Sequence, residues 1–462
     1  MSRSADWFTG PPPWPPTLKT LVLAPENAPK PPPDVSLTEI MSNSAKFPVK
    51  FPVESVRCSQ LLQNKIPQTT LEANANSAYP VLHEHALHLC TIFLNYQKKN
   101  GNKFYKKMSL LELIDRLLSK RAVSFVGALD AYLLLDGSSG VNKWETIGTK
   151  KEKFPLVLDN CLSYDEIRLA ALVSVSSHTV FLNDGSRQNE GKFENERENI
   201  QDGGVIIGLV GPRLHKRKVM ECREIIRSKE QNIKKFGYGK KSLQSEFLDF
   251  YGDFNTTYNS KLIETNKDRY VKLLPDTYFD KLMYERRLIL SIDTLLIEAN
   301  SRAKILNKMA YVHVVGLGLG VWKIYAQQDE IFIKTFIRRL EILTLDHISD
   351  VCFSHIKYKM ADVPQNGHIT LHFKDRNPHS KIPEKLLVVS YPWDGNAFPG
   401  NEFWWGSLWT SGDPACACST QVAELHNCCI NPKVTAWNLR VATLNGLVTF
   451  DEYREKLTKE TC

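Results

Sequence analysis

What the chain lacks narrows it first. No apolar run approaches the roughly 20 residues that a helix needs to cross a bilayer, so an integral membrane protein is not expected. The opening residues, MSRSADWFTGPPPWPP, contain no apolar h-region, so no secretory signal is expected there. No internal repeat is found. Charge of one sign is in short supply: 59 basic against 51 acidic residues over 462 positions leave a formal +8. That excess is too dilute to demand a nucleic-acid partner, although it suits a phosphate-bearing ligand. Hydrophobic residues at 42% and charged residues at 24% are globular values, which exclude collagen, coiled coil and a small disulfide scaffold. Ten scattered cysteines without an export signal fit free thiols in a reducing compartment, so a cytoplasmic or nucleocytoplasmic protein is expected.

Proline is scarce except at the start, where 12 of the 24 fall within the first 55 residues. Proline removes backbone donors and favours polyproline II. Residues 1–75 are therefore expected to form a disordered tail, which could serve an SH3- or WW-type partner as a docking strip. Order is expected from about Pro80 onward, as one enlarged domain over 76–462.

VLHEHALHLCTIFLNYQKK (81–99) has apolar residues at helical spacing. Its His83, His85 and His88 do not share one face well, so a surface or core role is expected rather than a metal site. A helix is expected over 162–177, then a strand running into 178–191. GVIIGLVGPRL (204–214) reads as a buried strand and 215–237 as a basic amphipathic helix, with KRK (216–218) a weak nuclear signal at most. Residues 238–310 read as a mainly helical insertion. Strands are expected in 310–315, 347–356, 368–373 and 385–391, with helices at 324–346 and 413–427. Alternating strands and helices argue an α/β fold with a largely parallel sheet. Ligands then sit beyond the carboxyl ends of the strands, where 181–189, 316–322 and 391–413 carry suitable chemistry.

GLGLGVW (316–322) places Gly316, Gly318 and Gly320 after an apolar strand, so backbone N–H groups can approach an anion. A nicotinamide-binding turn would need glycine at 321, where Val321 stands, and Lys323 is not followed by the Ser or Thr of a Walker loop. A plain tight turn remains the alternative. YPWDGNAFPGNEFWW (391–405), leading to SGDP (411–414), gathers Asp394, Glu402, Asp413, Asn396 and Asn401 among large aromatics. Carboxylates among aromatics have raised pKa values and suit general acid–base work, while Asp413 could equally be a helix N-cap. Asn183, Asp184, Arg187 and Asn189 in FLNDGSRQN (181–189) suit either a ligand-facing loop or a simple turn. Arg213, after GLVGP, could neutralise a phosphate, but a surface position is expected first. Cys416, Cys418, Cys428 and Cys429 lack the usual paired spacing of a zinc knuckle, so no metal is expected.

VHVVGLGLGVWK (312–323), SYPWDGNAFPGNEFWWGSL (390–408) and SGDPACACSTQVAELHN (411–427) together resemble the atypical, arginine-specific macrodomain family typified by the Legionella effector MavL and its eukaryotic relatives. SYDEIRLAALVSVSSHTVFLNDGSRQNEG (163–191) and GVIIGLVGPR (204–213) fit the same resemblance, which covers roughly residues 80–445. It implies a macrodomain-like three-layer α/β/α sandwich that binds ADP-ribose and removes it from arginine side chains of proteins. The resemblance implies an acidic trio of Asp394, Glu402 and Asp413. Glu402 stands where an aspartate is expected. Gly316, Leu317, Gly318, Leu319 and Gly320 would cradle the diphosphate. Asn396 and Asn401 would hold ribose hydroxyls, and Trp322 or Phe398 would stack on adenine or wall the pocket. Asn183, Asp184 and Arg187 are further expected contacts. No metal or cofactor is implied, and neither is a nucleic-acid or membrane partner. A non-catalytic ADP-ribose reader and a nicotinamide-dependent oxidoreductase are the competing readings.

Overall fold

The computed structural model describes residues 7–26, 30, 32–100, 102–254, 257–358, 360 and 367–459. Its centre is a nine-stranded mixed sheet. In chain order the strands are β1 (Tyr79–His83), β2 (Ser174–Val180), β3 (Gly203–Leu209), β4 (Ala310–Val314), β5 (Ile348–Phe353), β6 (Thr370–Phe373), β7 (Leu386–Pro392), β8 (Arg440–Thr443) and β9 (Gly446–Thr449). They lie in the order β6-β5-β4-β7-β3-β2-β1-β8-β9. The five strands from β6 to β3 are mutually parallel. The central three, AYVHV, LLVVSYP and GGVIIGL, are almost wholly buried, as strands covered on both faces must be.

Alternation along β2 shows the layers. Ser176 Oγ accepts a hydrogen bond from Arg302 at 3.3 Å, on the 25-residue helix Lys281–Ile305. Its neighbour Ser177 meets His426 at 3.0 Å, and the Thr179 hydroxyl accepts from the Gln421 N–H at 3.0 Å. Successive side chains point to opposite faces, so the long helix covers one face and the 412–426 segment the other. An α/β sandwich is the result, as the element pattern predicts.

The expected free tail is instead part of the fold. Residues 7–76 carry four helices: α1 (Pro16–Leu23), α2 (Leu37–Lys46), α3 (Cys58–Gln63) and α4 (Gln68–Asn76). Val22, Val35, Ile40, Phe51, Val56, Leu61 and Leu71 are buried in the same hydrophobic core as the sheet. Several prolines sit where a helix start leaves an N–H unused: Pro15 and Pro67 precede α1 and α4, and Pro16 opens α1. Trp14 donates to Tyr453 at 3.1 Å and stands edge-on to His88 at 4.9 Å. The described part of the proline-rich strip is thus laid onto the domain, not held out as a free docking strip. His83, His85 and His88 are buried, with the Phe8 ring 4.5 Å from that of His85.

Two helices follow β1, α5 (Glu84–Lys99) and α6 (Leu110–Ser119), the latter started by a capping box between Ser109 and Glu112. The basic helix expected over 215–237 is replaced by two short helical turns, Cys222–Ile225 and Lys234–Phe236, and a strand between them, Ile226–Ser228. Lys218 and Met220 take positive φ of 65° and 49°, which no helix tolerates. The 226–228 strand pairs with Thr277–Asp280, so the 238–310 region holds a β-hairpin as well as helices. No helix among the described residues is long and apolar enough to cross a membrane.

Candidate active site

Because β3, β4 and β7 are adjacent and parallel, the segments leaving their carboxyl ends share one edge of the sheet. These segments are 210–213, 315–322 and 393–413. Gly211 and the glycine turn are in close contact: a Cβ on Gly211 would overlap the Leu317–Gly318 backbone, so only glycine fits. Gly318 takes φ +69°, and Leu317 is buried under the turn, so the turn offers backbone rather than this side chain. The Val315 N–H donates to Ser390 at 3.2 Å, tying the turn to β7. The next helix begins only at Gln328, after an irregular stretch holding Trp322, whose ring is parallel to His215 at 6.4 Å.

The acidic loop is built on the other side of β7. Trp393 extends the sheet by donating its N–H to the Leu209 carbonyl at 2.8 Å. Asp394 then closes a turn, its carboxylate accepting from the Asn396 N–H at 2.9 Å. Asp413 does not cap its helix, Gly412–Ala417, which Ser411 precedes. Its carboxylate instead accepts from the Gly400 N–H at 2.8 Å and the Asp394 N–H at 3.4 Å, drawing both ends of the loop together. Gly400 can donate there because it holds φ +103°. Glu402, half-buried on the 3-10 turn Asn401–Trp405, accepts from the Ser411 hydroxyl at 3.4 Å.

Burial pushes all three carboxyls upward. Asp413 lies well above the ordinary carboxylate range, through desolvation and then the neighbouring Glu402 and Asp394 charges. Glu402 is raised by burial and by Asp394, with Arg187 and the Ser411 hydroxyl acting against it. Asp394 is raised by burial, partly relieved by Arg213 and Arg121. Three clustered carboxyls raised in this way form a site that favours protons or a cation. A guanidinium matches carboxylates in shape and in donor pattern.

Asn396 is the second telling group. Its side chain is fully buried, yet neither its amide oxygen nor its amide nitrogen has a partner. Buried amides are nearly always hydrogen-bonded, so an orphan at a site edge is available to a ligand.

Several expected site residues have other duties. Asn401 spends its amide on the strand Ser124–Val126, accepting from the Phe125 N–H at 2.7 Å and donating to the Phe125 carbonyl at 3.3 Å. Phe398 is buried edge-on to Phe47 and cannot stack on a base. β2 is antiparallel to β3, with Val180 opposite Gly203, so the 181–189 segment leaves the sheet at the opposite edge. Asn183 there donates to Lys192 at 3.0 Å, and Asp184 accepts from Asn189 at 2.6 Å. Of this segment only exposed Arg187 acts electrostatically on the acidic loop, through Glu402. Arg213 is not at the surface: it is buried, paired with Asp130 at 3.1 Å, over the Phe125 ring.

Sequence reasoning missed the 121–126 segment. Ala122 bonds the loop at both ends, donating to Asn396 at 2.9 Å and accepting from Phe398 at 2.8 Å. Buried Arg121 lies 3.9 Å over the Trp393 ring. Burial pulls its pKa to about 10, while the Cys428, Asp394, Tyr391 and Asp413 groups around it act in the opposite direction. No local pattern marks this arginine; only its place behind the acidic loop does. The N-terminal helices are the other unforeseen support, since Phe47 and Phe51 each pack 4.9 Å from Trp404. Buried Glu424, just beyond the loop, accepts from the Cys58 N–H at 2.7 Å and from Ser44.

A family model described as ADP-ribosylhydrolase MavL-like matches residues 38–456. The Drosophila melanogaster protein named ADP-ribosylarginine hydrolase CG2909 is 39% identical over 458 residues, covering 92% of this chain and 90% of its own. A second, ADP-ribosylarginine hydrolase CG3568 from the same organism, is 38% identical over 459 residues, with 93% and 90% covered. With an acidic loop and a glycine turn at one sheet edge, and a match over most of its length, the chain belongs to the MavL-like ADP-ribosylhydrolase family.

Proposed function

We propose that this protein hydrolyses the bond between the anomeric carbon of ADP-ribose and a guanidine nitrogen of a modified arginine in a protein, binding ADP-ribose in macrodomain fashion. The observation that carries this reading is the cluster of Asp394, Glu402 and Asp413, all with raised carboxyl pKa values, beside the orphaned amide of Asn396. A site that only bound the nucleotide would gain nothing from three buried carboxyls, which repel its diphosphate. A substrate guanidinium offsets their desolvation cost by direct pairing.

Cleaving an N-glycosidic bond requires an oriented water and stabilisation of an oxocarbenium-like centre. Asp394 and Asp413 hold the guanidinium and the adjoining ribose. Glu402, less buried and reached by the Ser411 hydroxyl, serves as the proton-transfer or water-orienting group. Asn396 takes a ribose hydroxyl. The Gly316–Gly320 backbone faces the diphosphate. The reducing conditions of cytoplasm or nucleus suit the nine free cysteines among the described residues, seven of them buried.

The test is release of free ADP-ribose from arginine-, serine- and glutamate-modified proteins. Release from the arginine substrate alone is expected. No release from any of them, with ADP-ribose still bound, would leave a reader in place of an enzyme. Release from serine or glutamate substrates instead would overturn the guanidinium assignment.

A further inference from the structure

The family reaction makes no use of the adjacent thiols Cys428 and Cys429. Seven other described cysteines are buried, whereas Cys429 is exposed and Cys428 half-buried. Both line a groove of about 420 Å³ together with Asp115, Leu118, Trp437 and Lys30. The pair sits in a tight turn: Asn427 accepts from the Ile430 N–H at 2.9 Å through its carbonyl, and from the Cys429 N–H at 2.9 Å through its side chain.

The turn gives the two sulfurs different environments. α6 ends beneath them, and its last carbonyls lack helical partners. Arg121 caps the Leu117 carbonyl at 2.8 Å, and the Cys428 thiol donates to the Leu118 carbonyl at 3.6 Å. That contact, with the negative end of α6 below it, favours Cys428 as the protonated thiol. Cys429 faces outward, and the neighbouring Cys428 and then the charge of Lys120 hold its thiol below the ordinary value. An exposed sulfur with thiolate character next to a second thiol is the arrangement of an attacking and a resolving cysteine.

We propose that Cys428 and Cys429 form a vicinal dithiol site that reacts with peroxides and closes to a disulfide within the turn. The Cys429 thiolate attacks one peroxide oxygen, the O–O bond breaks, and the departing hydroxide takes a proton to become water. Cys429 is then a sulfenic acid. Cys428 gives up its proton and attacks the Cys429 sulfur, the S–O bond breaks, and a second water leaves. Two thiols and one peroxide become one disulfide and two waters, a two-electron oxidation of the sulfurs. An eight-membered ring across one peptide bond departs from relaxed disulfide geometry, which keeps it readily reducible. Closure also removes the S–H donor from the Leu118 carbonyl, one residue from the carbonyl that Arg121 caps, so the oxidised turn abuts the support of the acidic loop.

The test uses the full chain treated with equimolar hydrogen peroxide, then denatured, alkylated with iodoacetamide, digested and weighed. The peptide carrying Cys428 and Cys429 is expected to be lighter by two hydrogens and unalkylated, and to regain two alkyl groups after dithiothreitol. Phenylarsine oxide, whose arsenic bonds two sulfurs at once, is expected to protect both residues from alkylation in the untreated protein. The proposal is overturned if peroxide leaves both thiols as alkylatable as before. It is equally overturned if either sulfur is found joined to a different cysteine or a second chain, or if phenylarsine oxide leaves the pair unprotected.

Discussion

Two loops of this protein use the same residue types and treat them in opposite ways. The 183–189 loop and the 394–402 loop each combine asparagine, aspartate and glycine at the end of a strand. In the first, the polar groups satisfy one another: Asn183 accepts from the Gly185 N–H at 3.0 Å, Asp184 from the Ser186 N–H at 2.8 Å, and Asn189 reaches both residues. In the second, Asn396 is buried with an unpaired amide, and three carboxyls share one neighbourhood. A buried polar group in such a state calls for an explanation, and beside three carboxyls at a strand end a ligand supplies one. Composition does not separate a turn from a site, whereas the hydrogen-bond account does.

Removing the central carboxylate of each loop breaks the comparison most sharply. Asp413→Ala is expected to lower the hydrolysis rate by about 10²–10⁴-fold, the range lost with a proton-transfer or charge-holding group. Asp184→Ala should leave kcat within about twofold and act on stability alone, since its partners are the turn donors Ser186 and Asn189 and the structural amide of Asn377. Equal losses in kcat for the two would mean that the 183–189 loop belongs to the site after all.

Both loops lean on distant sequence: the 183–189 loop through hydrogen bonds from Asn377 to Asp184 at 2.6 Å and between His379 and the Asn183 carbonyl at 2.9 Å, the acidic loop through aromatic packing. Phe51 packs on Trp404 and lies 6.3 Å from Phe403, with Arg57 over its ring at 5.0 Å. Phe51→Ala is expected to cost about 3–5 kcal/mol of stability, as deletion of a buried aromatic does. Calorimetry should register it, and turnover should fall with it because the 401–405 turn loses its backing. An unchanged melting temperature would show that the N-terminal segment is dispensable.

The two asparagines give a smaller but cleaner crossing. Asn396→Ala removes an amide that has no internal partner, so melting should be unchanged or slightly improved, while ADP-ribose affinity falls about tenfold, the worth of one good hydrogen bond. Asn183→Ala strips donors and acceptors from its own turn and should cost about 1–3 kcal/mol of stability with affinity retained. Titration calorimetry and thermal melts on the same samples read both axes. The opposite pattern would exchange the roles of the two loops.

Much of this was legible in the chain and some was not, for reasons of physics. β3, β4 and β7 stand out as apolar runs because strands buried on both faces carry few polar residues. The acidic loop announced itself by its density of carboxyl, amide and aromatic groups. The direction of β2 was not legible: whether a strand runs parallel or antiparallel to its neighbour is set by the rest of the sheet, and it decides at which edge 181–189 emerges. The N-terminal helices hid behind proline, since their stability comes from burying Val22, Ile40 and Leu61 against a core that local propensity does not see. The 215–237 stretch has the period of a helix but pairs through Ile226–Ser228 as a strand. Asn401 and Asn396 look alike in sequence, and only the neighbouring Ser124–Val126 strand commits one and leaves the other free.

The smallest expected effect is a change of sign with pH. The folded-state pKa of Asp413 is raised by burial and by Glu402 and Asp394, so between the ordinary carboxyl value of about 4 and its raised value the folded protein holds a proton the unfolded chain has released. That stability is fully present below the ordinary value and is lost as pH rises. Asp413→Asn removes the titration, so the variant should gain on the wild type from acid to neutral pH, with the two melting curves converging near pH ~4. Asp350 on β5 runs the other way. Burial raises it, but hydrogen bonds from Lys385, Ser349 and His372 prevail and hold it below its ordinary value. Its contribution is present above that value and is lost as pH falls, so Asp350→Asn should lose ground to the wild type toward neutral pH. Thermal melts of the three proteins from acid to neutral pH read both slopes. If Asp413→Asn instead behaved like Asp350→Asn, the Asp413 carboxylate would be a satisfied ion within the fold, and the acidic loop would join the 183–189 loop as structure that needs no ligand.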